Sequence, residues 1–133
     1  MGCNSHLTIE VKGRWEHSPE RWDLFALDIP ESRHYRLYEA MAGVRGEEDN
    51  AVVQPRGIPA DADRGTLYWI KRADSDGHSH SWLYAKEFIK ALEQATDDKY
   101  GNGKEWDSLV KVLAALETVY GENNVRLVFF FDN

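Results

Sequence analysis

The run VRLVFFF, residues 125–131, restricts this chain more than any other segment. It is too continuously apolar to alternate between a wet and a dry face, so it reads as a central strand covered on both sides. Such a strand needs partners along both edges and further elements above and below it. At 133 residues the chain is long enough for one domain, residues 1–133, that buries a core without disulfide or metal staples.

Periodicity indicates what those other elements are. Residues 6–12 alternate, with Leu7, Ile9 and Val11 on one face and His6, Thr8, Glu10 and Lys12 on the other, as in a half-buried strand. Lys12-Gly13 predicts a hairpin into residues 14–17. Residues 19–30, with Trp22, Leu24, Phe25 and Leu27, form a connection to which the pattern assigns no state. Ser32 is expected to cap a helix from Arg33 to about Gly43 that presents Leu37 and Met41 and stops at the glycine. The stretch GEEDNAVVQPRGIPADADRG (46–65) reads as a long surface loop with one short strand at 51–53. TLYWIKR (66–72) has the aromatic and β-branched content of a strand, and ADSDGHSHS (73–81) that of a turn. Ala85, Phe88, Ile89, Leu92 and Ala95 predict a helix over 85–95. After the break DDKYGNGKE (97–105), Trp106, Leu109, Val110, Leu113, Leu116 and Tyr120 predict a third, ended by Gly121. The expected fold is α+β: a single domain with a roughly four-stranded sheet and about three helices packed on it.

Charge and composition restrict the partners. Sixteen Lys and Arg against 23 Asp and Glu leave a net charge of −7, which argues against broad nucleic-acid binding through phosphate contacts. No apolar run approaches the ~20 residues of a membrane span. The lone cysteine, Cys3, cannot form an internal disulfide, and no charged-then-apolar leader precedes it, so a cytoplasmic location is expected. Gly2 fails as a myristoylation site because position 6 is His6, the nearest serine being Ser5. Five tryptophans and the apolar strand make a homo-oligomer plausible.

Polar residues gather in three places. On one continuous strand Cys3 sides with Leu7 and Ile9, away from His6, so a metal clip from these two is disfavoured and Cys3 is expected in the core. His6 shares its face with Thr8 and Glu10, either as a poised histidine or as one polar residue among others. In HSHSW (78–82), His78 and His80 point to one side if the stretch is extended; they could ligate zinc or belong to a solvated turn. No C-x-x-C or H-E-x-x-H spacing occurs, and neither a metal nor a cofactor is expected. Arg33, Arg36, Arg45 and Arg56 surround one helix and one proline-flanked loop. They suit a local anion site, or they neutralise the nearby Glu47, Glu48, Asp49, Asp61 and Asp63.

Taken in order, MGCNSH (1–6), RHYRLYEAMAGVR (33–45), PRGIP (55–59), HSHSW (78–82) and FDN (131–133) resemble a family of small phage-encoded proteins. Members of that family open with MGCDIH, carry a segment like R-N-Y-x-L-F-x-x-L-A-G-V-R, then PRGLP and HSHSW, and finish near FDN. The resemblance covers nearly the whole chain. Asn4 stands where the family has Asp and Ser5 where it has Ile. Tyr84 stands where a Thr often caps the next helix, so the capping box with Glu87 is expected to be lost. By analogy with small phage counter-defence factors, the resemblance implies a protein of the infected bacterial cytoplasm that acts on a nucleotide immune signal, a cyclic dinucleotide or an ADP-ribose-like molecule. Arg33, Arg45 and Arg56 would then hold phosphates, while Tyr35 or Trp82 stacks on a base. Glu10, His78, Ser79 and Ser81 complete the expected lining. His6 and His80 would share acid and base roles in a metal-independent phosphodiester cleavage, with Arg56 stabilising the developing charge. Three other readings stay open: a non-catalytic sponge, a metal-dependent hydrolase using His78, His80 and Glu10, and an inhibitor that binds a host protein.

Overall fold

The computed structural model describes residues 2–27, 29, 32–73, 76–96 and 101–133. Asp74 and Ser75 of the predicted turn and residues 97–100 of the predicted break lie outside them. In chain order the elements are β1 (Asn4–Lys12), β2 (Trp22–Ala26), α1 (Tyr35–Ala42), a 3₁₀ turn (Glu48–Asn50), α2 (Arg64–Ala73), β3 (Gly77–Tyr84), α3 (Ala85–Ala95), α4 (Lys104–Tyr120) and β4 (Val125–Asp132). The strands form one antiparallel sheet in the order β2-β1-β4-β3, so the fold is α+β. β4 pairs on both edges and is buried from Val125 to Phe131, as its composition demands.

Alternation along the strands sorts the sheet into two covered faces. Cys3, Leu7, Ile9 and Val11 join Leu83, Leu127, Phe129 and Phe131 in the main core, beneath Leu37 and Met41 of α1, Phe88 of α3 and Trp106 and Leu113 of α4. The second face carries Val128 and Phe130, on which Ile70 of α2 packs. That face is not wet: Thr8 and Glu10 are fully buried beneath α2 and the loop before it.

Several local expectations change for identifiable reasons. TLYWIKR is helical, because Thr66, Trp69, Ile70 and Ala73 share one helical face that meets the sheet while Tyr68 is left exposed. Asp63 starts the helix: its Oδ1 accepts from Gly65 N–H at 2.7 Å. GHSHS is not a turn but the first half of β3. The strand that returns beside β1 is Trp22–Ala26 rather than residues 14–17, and Val52 donates its N–H to Ala40 O instead of joining a strand. Helix α1 begins at Tyr35, capped by His34 Nδ1 accepting from Leu37 N–H, while Ser32 donates its hydroxyl to Glu105. It ends as predicted at Gly43, whose φ of 73° and N–H to Glu39 O bond at 2.8 Å form an αL motif. A side chain there would also collide with Glu48 Cα.

A row of stacked cations and indoles crosses the second face. Lys12 lies 5.5 Å from the Trp22 ring centre, Arg126 lies 4.0 Å from Trp22 and 5.5 Å from Trp82, and Arg56 lies 4.2 Å from Trp82. Each such contact contributes roughly 0.5–2 kcal/mol depending on desolvation.

Candidate functional site

Because β1 and β3 flank β4, His6 and His80 are brought to either side of one ring. His6 is the register partner of Phe130 and stacks on it with centroids 4.9 Å apart; His80 stacks on it from β3 at 5.4 Å. Trp69 of α2 meets His6 edge-on at 5.9 Å. His6 Nε2 is 2.7 Å from Asp132 Oδ2, and their side chains keep 27% and 31% of their exposure, so a solute can reach the pair. His80 is held below the ordinary histidine value, by burial first and by the charge of His78 second, which keeps its imidazole neutral near pH 7.

His78 and His80 do not share a side. His78 opposes Phe131 and Ser81 opposes Phe129, so two residues, Ser79 and His80, face Phe130 alone. This is a β-bulge with Ser79 at φ 56°, and it turns His78 to the main-core face while His80 stays on the face of Phe130. His78 Nδ1 is 3.0 Å from Ser79 Oγ and its Nε2 is 3.0 Å from Asn133 Oδ1. Consecutive residues of the FDN motif therefore serve different histidines: Asp132 orients His6 and Asn133 orients His78.

Other residues expected in the site turn inward. Glu10 is buried, pairs with Arg126 at 2.7 Å, and accepts from Asp63 N–H and Thr66 Oγ1; it fastens α2 to the sheet and is no ligand contact. Ser81 is buried and accepts from Arg56 N–H. Trp82 stands between Arg56 and Arg126 in the stacked row, where an expected base would have to sit. Arg56 forms a fork with Glu87 at 2.7 and 2.8 Å and donates to Trp82 O, while Gly57 N–H donates to His80 O. PRGIP thereby covers the outer edge of β3, and Arg56 is a latch rather than a stabiliser of charge at the histidine pair. Half of the capping box survives as well, since Glu87 accepts from Tyr84 N–H at 2.9 Å.

The remaining expected contacts gather at the same end of the sheet. Arg33 packs flat on Gly2, where a Cβ would strike its guanidinium, and donates to Asn4 Oδ1. Tyr35 Oη accepts from Cys3 N–H and its ring carries Arg45 at 5.3 Å. Arg45, His78 and Ser79 also line a cavity of about 420 Å³ with Gln54, Pro55 and Asn133. Sequence reasoning missed Asp132, Asn133 and Phe130, although FDN was visible as a motif. Among the described residues no three His, Cys, Asp or Glu side chains converge as a metal site, and His78, His80 and Glu10 are kept apart by the bulge and by Arg126. No helix of the described residues is long and apolar enough to cross a membrane. No protein-family model, curated protein or solved structure matches the chain.

Proposed function

We propose that the protein binds a small nucleotide second messenger and cleaves its phosphodiester without a metal, acting as a phage-type counter-defence factor in the cytoplasm of an infected bacterium. The observation that carries this reading is the pair of histidines stacked on Phe130 from the two strands that flank β4, one backed by a carboxylate and the other kept neutral. Such a pair supplies the two proton transfers that the chemistry needs. Neutral His80 takes the proton of a ribose 2′-hydroxyl, whose oxygen forms a bond to phosphorus. As the bond from phosphorus to the 5′-oxygen breaks, His6, oriented by Asp132, donates a proton to the leaving oxygen. The products are a 2′,3′-cyclic phosphate and a 5′-hydroxyl.

Incubation with linear and cyclic dinucleotides in excess chelator, followed by denaturation and separation, tests the assignment. Cyclic-phosphate products that disappear in His6→Ala and His80→Ala are the expected result. Recovery of the intact dinucleotide after tight retention reassigns the protein to sequestration. Neither retention nor cleavage of any nucleotide overturns both readings.

A further inference from the structure

The cavity beside Arg45 lies around the corner from the histidine pair. It is walled by Arg45 and Gln54 from the segment after α1, by His78 and Ser79 from the start of β3, and by Asn133. At about 420 Å³ it falls within the range of small-ligand sites. Among its described lining residues Arg45 is the cation and Glu48 the carboxylate, while Gln54, Ser79 and Asn133 supply polar groups, so an anionic group entering it would be met by Arg45. Two of its wall residues, Arg45 at φ 62° and Ser79 at φ 56°, hold a backbone conformation that costs a side-chain-bearing residue about 1–2 kcal/mol. Asn133 and Ser79 meanwhile hold the His78 ring at both nitrogens.

The cavity and the histidine pair share their backbone. Asp132 faces His6 while its neighbour Asn133 faces His78, and the bulge sends His78 one way and His80 the other. A ligand whose scissile phosphate rests at His6 and His80 must bend around this sheet end to reach Arg45, whose guanidinium suits an anionic group.

Building on the proposed cleavage site, we infer that the cavity is a second phosphate subsite and that the ligand is a dinucleotide with two phosphates, one at the histidine pair and one at Arg45. An arginine is suited to that group because its planar fork matches the oxygens of a phosphate.

The test compares adenylyl-(3′→5′)-adenosine with the same compound carrying a 5′-phosphate, by calorimetry in excess chelator, on the full chain. The phosphorylated compound is expected to bind the unaltered protein at least about tenfold more tightly, as one charge-assisted contact warrants. In Arg45→Gln that ratio should collapse toward one; in Asn133→Ala, which frees the His78 ring, it should fall part of the way. Thermal unfolding of each variant checks that it is folded, and having two variants keeps the test decisive if one is not. Equal affinity for the two compounds in the unaltered protein, a ratio preserved in Arg45→Gln, or no binding of either compound overturns the subsite. Binding with the expected ratio but without cleavage leaves the subsite standing and removes the catalytic reading.

Discussion

Asp132 and Asn133 differ from one another by one atom group, yet the pleat points them to opposite faces, where each fixes one histidine. Asp132→Asn keeps the shape and removes the carboxylate charge beside the His6 ring; cleavage should fall by roughly 10²-fold, and His80→Ala should cost roughly 10²–10⁴-fold, in initial-rate assays. The lowered value of His80 makes a second prediction, checked by an NMR titration of its ring. The midpoint should lie below 6.5, and His78→Gln should raise it only part of the way, because burial is the larger cause. Between the folded value and 6.5 the unfolded chain binds the extra proton, so this contribution to stability is complete above 6.5 and lost as the pH falls through that window.

At the scale of elements, Glu87 joins a loop to a helix. One carboxylate accepts from the N–H of Tyr84, the residue that precedes α3, and from the fork of Arg56, so Glu87→Gln should weaken both, by about 1–3 kcal/mol in urea unfolding. Burial raises the Glu87 value, but the hydrogen bonds from Arg56 and Tyr84 and the charge of Arg56 outweigh it and leave the carboxyl below its usual 4.5. The advantage of the unaltered chain over the glutamine variant is therefore full above pH 4.5 and shrinks as the pH falls through the folded value. Elements set by their own periodicity were legible in the sequence: β1, α3, α4 and β4 all lie where their apolar spacing puts them. TLYWIKR misled because aromatic content was weighed above the spacing of Thr66, Ile70 and Ala73 and above the cap at Asp63. HSHS misled in the opposite direction, since serines and histidines have little strand preference and extend here because Phe130 and Phe131 offer them rings to rest on.

Across the whole molecule, the buried pair of Glu10 and Arg126 ties α2, the loop before it and two strands together. Glu10→Ala removes the buried partner of an arginine that is only 3% exposed and leaves it the exposed Asp61 at 3.1 Å, so it should cost about 3 kcal/mol by chemical denaturation; replacing both Glu10 and Arg126 with apolar residues of similar size should cost less. The candidate site was legible only in part for the same topological reason. His6 and Asp132 are 126 residues apart in sequence, and only the pairing of β1 with β4 makes them neighbours. Motif order identified the participating segments, but not that PRGIP would be spent on an edge or that HSH would be split between faces. That split has a consequence in the arithmetic of insertions and deletions. With Ser79 deleted, His78 still falls opposite Phe131, His80 opposite Phe130 and Ser81 opposite Phe129, now in an unbroken ladder. Ser79 is thus a one-residue insertion into a regular strand, contributing the bend and the hydroxyl but not the sidedness, and a shortened relative reading HHS in place of HSHS would keep both histidines where they are.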